Sequence, residues 1–278
     1  MDWLTEPFSH AFQQRALLGA ALAAVATSTV GIWVVVRGMS FLADALVHGV
    51  VPGIALAVLF GFDPALGAAA AALVMIGGIR LVHRQTPFSE DTGIGLLFVG
   101  MLALGVILVS RTASYSVALN SILFGNALGV TVGDIVWLAV IAAVALAVSL
   151  LFYRRFLVLA FNEQKAALLG LRPGLSHAVL LGLTTLAIVG AFRTVGTLLV
   201  FGLLVGPPAT AALLVRRVPT MMAVSMAIGV ASAALGLFIS YHADTSGSAT
   251  MALVPVVGFF LVLTVKGVLR GVTRSPVR

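Results

Sequence analysis

The sequence predicts an all-α fold, a polytopic bundle of about 8–9 transmembrane helices plus a re-entrant segment, within a single membrane domain over residues 1–278. The first observation is composition: 61% of the residues are hydrophobic and only 9% are charged, whereas a soluble domain carries about 25% charged residues. The second is spacing, because the apolar residues form runs close to the length of about 20 residues that crosses a bilayer as a helix. A multi-pass protein of the cell membrane is therefore expected.

Nine runs are long and apolar enough to be considered as spans, although the third is short. They lie at about Ala16–Val36, Phe41–Phe62, Pro64–Ile79, Thr92–Ser110, Ile135–Tyr153, Leu175–Phe192, Gly196–Val215, Thr220–Tyr241 and Ala249–Val265. The stretch Tyr115–Gly133 is also uncharged, but it carries Asn120, Ser121 and Asn126. It is too polar for contact with lipid, which predicts a re-entrant or interfacial segment buried against protein.

The basic residues predict the orientation. Of the 16 Lys and Arg residues, only Arg15, Arg111 and Arg193 fall in one set of loops when nine spans are counted. Cytoplasmic loops are enriched in Lys and Arg, so the N-terminus is expected outside and the C-terminus in the cytoplasm. Because the net charge of +7 lies between apolar runs, it favours lipid headgroups as the partner and gives no support to nucleic acid.

The second run contains the most informative stretch, Asp44-Ala-Leu-Val-His48. Residues four apart lie on one face of a helix, and a carboxylate with an imidazole can ligate a borderline divalent cation. Ionisable groups within spans usually face a bundle interior or a water-filled path. Pro52 and Gly53 follow one turn later and weaken the helix, which is typical of a translocation pathway. The alternative is that Asp44 and His48 bond only each other or a neighbouring helix.

The seventh run carries a second helix-breaking group, Gly206-Pro207-Pro208. The double proline predicts a break within the membrane or near its end, which would make this a second discontinuous helix along the pathway; a simple packing kink is the alternative. In the last outer loop, His242 and Asp244 could collect cations at the entrance, although a solvated turn is the favoured interpretation.

The connection between the fifth and sixth runs predicts a short amphipathic helix at about Asn162–Leu169. Asn162 is a good N-cap, Glu163 favours a helix N-terminus, and Gly170 is a plausible stop. The helix either lies among headgroups or docks into a groove on a cytoplasmic partner. The sequence contains no cysteine, no phosphate-binding glycine loop and no metalloprotease or esterase motif, so neither nucleotide hydrolysis nor intramembrane proteolysis by this chain is supported.

These residues resemble the membrane-spanning subunit of bacterial ABC importers for zinc and manganese, over about residues 11–269. The stretch from Arg37 to Gly53 is similar to the family pattern R-x-M-x-x-x-x-D-A-x-x-H-x-x-x-P-G, and Leu123-Phe-Gly-Asn126 is similar to its leucine-phenylalanine-glycine stretch. The segment from Phe161 to Gly170 matches F-D-x-x-x-A-x-x-x-G except that Asn162 stands where Asp is usual. The run from Gly196 to Ala211 is similar to G-x-L-L-V-x-A-L-L-x-x-P-A-A-T-A, with an extra proline.

The resemblance implies a homodimer, two cytoplasmic ATP-binding subunits and an extracytoplasmic metal-binding protein. It implies that Asp44 and His48 coordinate the transported ion. It also implies that Phe161–Gly170 is the coupling helix, with Phe161, Ala166 and Gly170 at the matching positions and with Asn162 and the neighbouring Glu163 at its start. One Asp and one His cannot fill a tetrahedral shell, whereas a two-fold axis would bring two of each together.

Other functions are less well supported by the sequence. An ABC permease for iron chelates or cobalamin would need a wider cavity, for which an Asp/His lining is unsuited. An ion-coupled secondary carrier would leave the Phe161–Gly170 loop without a role. Zn²⁺ and Mn²⁺ are expected as transported ions and no permanently bound cofactor is expected; the imidazole and the Irving–Williams order favour zinc.

Overall fold

The structure is a computed structural model that describes residues 10–110, 125 and 129–273. Within these ranges it contains helices and no strand. The helices are α1 (Ala11–Val36), α2 (Ser40–Gly49), α3 (Val51–Phe60), α4 (Pro64–Gln85), α5 (Glu90–Ser110), α6 (Val132–Leu151), α7 (Tyr153–Phe161), α8 (Glu163–Leu168), α9 (Pro173–Leu214), α10 (Val218–Ala243) and α11 (Gly247–Thr273).

The predicted fold class is confirmed. The described ranges contain 9 segments long and apolar enough to cross a membrane, and they correspond one to one with the nine predicted runs. The second run is divided into α2 and α3, and the third is longer than expected because α4 continues to Gln85. Most of the segment predicted to be re-entrant, Tyr115–Gly133, lies outside the described residues, and its last two residues, Val132 and Gly133, already belong to α6.

Helix α1 is the central element of the bundle, packed against α6, α9 and α10. In its apolar window 72% of the residues are buried, against 11% in α11 at the periphery. Thr27 and Thr29 are fully buried, and each donates its hydroxyl hydrogen to the carbonyl four residues earlier, at 2.7 Å and 2.6 Å. These two hydroxyls are thus satisfied within the helix itself.

The corner between α1 and α2 is a tight glycine turn. Gly38 has a φ of +69°, and its N–H donates to Val35 O at 3.0 Å while that of Met39 donates to Val34 O at 2.9 Å. This pair of bonds is a Schellman motif, which terminates α1 and satisfies two of its last carbonyls. Only Arg37, Gly38 and Met39 separate the two helices, so the start of α2 is held directly by the end of α1.

Acidic residues at the other side of the membrane cap helices. Asp63 accepts a hydrogen bond from Ala65 N at 2.7 Å at the start of α4. Thr131 and Asp134 form a reciprocal capping box at the start of α6, with Asp134 N donating to Thr131 Oγ1 at 3.2 Å and Thr131 N donating to Asp134 Oδ2 at 3.0 Å. A carboxylate near a helix N-terminus satisfies free N–H groups and favours the helix dipole.

Helix α9 consists of two spans joined at Gly196. This residue has φ +73° and ψ 167°, a backbone conformation that essentially only glycine adopts. The two segments on either side, Pro173–Phe192 and Thr194–Leu214, are each long enough to cross the bilayer. Gly125 is packed against this junction, and a Cβ added to Gly125 would overlap the backbone of Val195 and Gly196. The two glycines allow one backbone to contact another at the turn.

Candidate metal pathway

Asp44 and His48 lie on one face of α2, as predicted. The distance between His48 Nε2 and Asp44 Oδ1 is 3.6 Å, and the two side chains remain 25% and 28% exposed, respectively. This separation is too long for a hydrogen bond. It is close to the spacing of two ligands that share an ion, because ligands about 2.1 Å from a metal are about 3.4 Å apart at a tetrahedral angle. The two donor atoms are therefore spaced so that they could share a cation.

The environment of this pair is aromatic on the side of α5. The imidazole of His48 contacts Phe98 with ring centroids 5.9 Å apart at 62°, and Phe98 contacts Phe41 at 6.3 Å and 67°. Edge-to-face geometry is favourable between such rings. In the described part of the chain no three His, Cys, Asp or Glu side chains converge to hold a metal ion, so Asp44 and His48 alone could fill only part of a coordination shell.

The helix that carries the pair is interrupted where the sequence predicts it. Helix α2 ends at Gly49 and α3 begins at Val51, with Pro52 in its first two positions. A proline is tolerated there because the first N–H groups of a helix have no intrahelical partner. Gly53 has a different role from the one expected: it lies within α3, where a Cβ would overlap the carbonyl of Gly67 on α4. It permits close helix crossing and does not break the helix.

The break predicted at Gly206-Pro207-Pro208 is wrong. Both prolines lie inside α9, which continues to Leu214, and the non-helical residue is Gly196. Pro208 deprives Leu204 O of its usual N–H partner, and that carbonyl instead faces Gly31 of α1, where a Cβ would overlap it. Packing of the proline-containing segment against α1 keeps the helix continuous, as neighbouring helices commonly do in membranes.

Two weaker candidates, His242 and Asp244, are at the end of α10. His242 Nδ1 lies 3.0 Å from Phe238 O of its own helix, and its ring lies 4.5 Å from that of Phe238. Asp244 is the C-cap residue, with a left-handed φ of +49°. Both side chains belong to an exposed turn, and the structure does not place them with Asp44 and His48.

The predicted short helix is present as α8, Glu163–Leu168, between the helices α7 and α9. Asn162 is its N-cap and accepts a hydrogen bond from Lys165 N at 2.8 Å. Gly170 has φ +68° and ends the helix in a Schellman motif, with Gly170 N donating to Ala167 O and Leu171 N donating to Ala166 O, each at 3.0 Å. The capped loop is therefore a defined structural element.

Two large apolar side chains of this loop are exposed. Phe161 is 75% exposed and Leu168 is 87% exposed, whereas Ala166 is only 1% exposed and fixes the helix to the bundle. Helix α7 is not predicted from the sequence, because the basic residues Arg154 and Arg155 at its start indicate a loop at the end of a span. The signal was present as apolar residues at helical spacing, of which Phe156 and Leu159 are buried.

A bundle of apolar helices, with a carboxylate and an imidazole side by side in one span and a capped helix in an exposed loop, is typical of a membrane permease. Residues 9–266 match the model of the ABC 3 transport family, and the chain belongs to this family. It is thus the transport subunit of an ABC transporter, in which ATP hydrolysis belongs to a separate subunit.

Individual relatives cover nearly the whole chain. The manganese transport system membrane protein MntC of Listeria monocytogenes is 36% identical over 94% of this chain and 93% of its own length. A probable iron transport system membrane protein of Haemophilus influenzae is 34% identical over 94% of this chain and 96% of its own. Among solved structures, PsaBC from Streptococcus pneumoniae in complex with Fab matches with a TM-score of 0.85 and 31% identity, covering 94% of both chains.

Proposed function

We propose that this permease moves divalent transition-metal ions into the cell and that Asp44 and His48 bind the ion on its way. The observation that carries the proposal is the 3.6 Å separation of the carboxylate oxygen and the imidazole nitrogen within one span. Both donors are partly exposed, so an ion can reach them. A carboxylate within a span is energetically costly, and such residues usually serve a function.

The site is completed by a second copy of the chain. One Asp and one His leave the shell of a four-coordinate ion half filled. In a two-fold symmetric dimer the same patch of each copy faces the other, so two pairs would supply two oxygen and two nitrogen donors. A site without thiolates binds moderately, which allows the ion to leave on the other side. An extracytoplasmic binding protein would deliver the ion to this dimer.

The cytoplasmic ATP-binding subunits dock on α8. Phe161 lies just before this six-residue helix and Leu168 is its last residue, and both side chains are exposed. A short helix with exposed apolar side chains fits a groove on a partner. This assignment places the loop in the cytoplasm. The distribution of Lys and Arg then requires the N-terminus outside and the C-terminus inside.

Manganese is the favoured ion, and zinc is the competitor. The imidazole ligand favours zinc only in the sense that zinc would bind more tightly than manganese at the same site. The relatives MntC of Listeria monocytogenes and ScaB of Streptococcus gordonii, the latter 35% identical over 90% of this chain, are both named for manganese. A carboxylate suits manganese as well as zinc. A secondary carrier is not supported, because members of an ABC family are driven by an ATPase.

The test is uptake of labelled manganese and zinc, separately and in competition, by cells that express the permease with its ATPase and binding protein. Asp44→Ala and His48→Ala are expected to abolish uptake while insertion and assembly are retained. Asp91→Ala, at the first residue of the fourth span, and His10→Ala, just before the first span, remove the same residue types from exposed positions and should transport normally. Undiminished uptake by both pathway variants would refute the assigned role.

A further inference from the structure

A polar contact joins the first corner of the bundle to the start of α9. Arg37 Nη1 lies 3.0 Å from His177 Nδ1, across 140 residues of sequence, and both side chains are partly buried. Arginine has only donors, so Nδ1 must be the acceptor and the imidazole proton must be on Nε2. A hydrogen bond from a charged donor is stronger than a neutral one.

On one side of this contact, hydrogen bonds lead to α8. Leu171 N donates to Ala166 O inside α8 at 3.0 Å. Ser176 Oγ then donates to Leu171 O at 3.2 Å, and Ser176 is 1% exposed. His177 is the next residue on the same helix. A displacement of α8 therefore has a route to His177 that consists of two hydrogen bonds and one step along the backbone of α9.

On the other side, the contact leads to the metal-binding pair. Arg37 is the C-cap of α1, and the glycine turn that follows leaves only Gly38 and Met39 before α2 begins. Ala43 N donates to Met39 O at 3.1 Å, so the turn and the first turn of α2 are bonded together. Asp44 comes next on α2. The corner has little freedom to absorb a displacement without passing it to this helix.

We propose that Arg37 and His177 form the relay through which α8 moves α2, and thus connect ATP-driven motion with the position of Asp44 and His48. The proposal rests on the proposed function, because it takes α8 as the docking helix and the pair on α2 as the ion site. Arg37 and His177 are positioning residues that touch neither the ion nor the ATPase. Their contribution is to couple the movement of α2 to that of α8.

The test compares ion transport with ATP consumption in the permease purified with its ATP-binding subunit and reconstituted in liposomes. His177→Leu and Arg37→Ala remove one partner each, whereas His177→Gln keeps an acceptor that Arg37 can use. We expect the first two variants to assemble, bind manganese and hydrolyse ATP, but to move about tenfold fewer ions per ATP. His177→Gln should retain at least half of the wild-type ratio. Arg80→Ala, which removes an exposed arginine from α4, should match wild type.

The double variant distinguishes a relay from two separate effects. If the contact is the relay, Arg37→Ala combined with His177→Leu should be no worse than either change alone, since the same interaction is lost. Additive losses, a wild-type ratio in His177→Leu, or equal loss of manganese binding and assembly would overturn the proposal. The ratio is read with whichever of manganese and zinc the wild type transports. Failure of the proposed function is separate: it would show as wild-type transport of neither ion.

Discussion

Gly53 of α3 and Gly67 of α4 face each other so closely that a Cβ on either residue would overlap the carbonyl oxygen of the other. Small residues at helix crossings let backbones approach, and this is a main source of helix association in membranes. Helix α3, the second half of the second span, is thereby fixed to α4, the third span.

Replacing either glycine should separate these helices. Gly67→Ala is expected to destabilise the protein by about 1–3 kcal/mol, because a methyl group is forced into a filled contact. The measurement is the thermal unfolding midpoint of the detergent-solubilised protein. Gly77→Ala on the same helix is the control, since nothing lies within 4 Å of its added Cβ. An equal midpoint for both variants would contradict the role assigned to the crossing.

Gly196 provides a second prediction. Alanine cannot adopt φ +73° with ψ 167° without strain of about 1–3 kcal/mol, so Gly196→Ala should distort the junction of the two spans and lower the unfolding midpoint. Gly182→Ala, also within α9, has open space around its added Cβ and should leave stability unchanged or improve it through helix propensity. The idea fails if Gly196→Ala unfolds at the wild-type temperature.

The buried hydroxyls of Ser149 and Ser225 allow a matched comparison. Trp33 Nε1 donates to Ser149 Oγ at 3.3 Å, and both side chains are fully buried. Ser149→Ala should cost about 1–3 kcal/mol, since the indole N–H is left without a partner. Ser225 is equally buried, but its hydroxyl has no hydrogen-bond partner among the described residues. Ser225→Ala should therefore be neutral or stabilising. The same unfolding assay checks both, and the opposite order of stabilities would be inconsistent with this account.

Asn162 controls the stability of α8. Asn162→Ala should remove the cap that Lys165 N donates to, at a cost of about 1 kcal/mol, which corresponds to about fivefold faster amide exchange in this helix. Asn162→Asp keeps an acceptor and should preserve protection. Hydrogen exchange measured over residues 163–168 checks this, with Gln164→Ala on the exposed side as control. Unchanged exchange in Asn162→Ala would show that the cap does not hold the helix.

Hydropathy was enough to predict the spans, because about 20 apolar residues have few alternatives to a membrane helix. Local spacing was enough for Asp44 with His48 and for the cap at Asn162, since each depends on residues within one turn. The prolines at 207 and 208 misled because their effect depends on what α1 supplies around them. The contact of Arg37 with His177 joins distant parts of the chain, and no local pattern in one sequence indicates such a pairing.

The second span consists of two short helices, α2 and α3, that meet at Val50. Helix α3 packs closely against α4 at the glycine crossing, and α2 extends from its other end over ten residues, or about 15 Å. A tilt of about 15° about Val50 would shift its far end by about 4 Å. Asp44 and His48 both lie on α2, so such a tilt would leave the distance between them unchanged while their neighbours on the surrounding helices change.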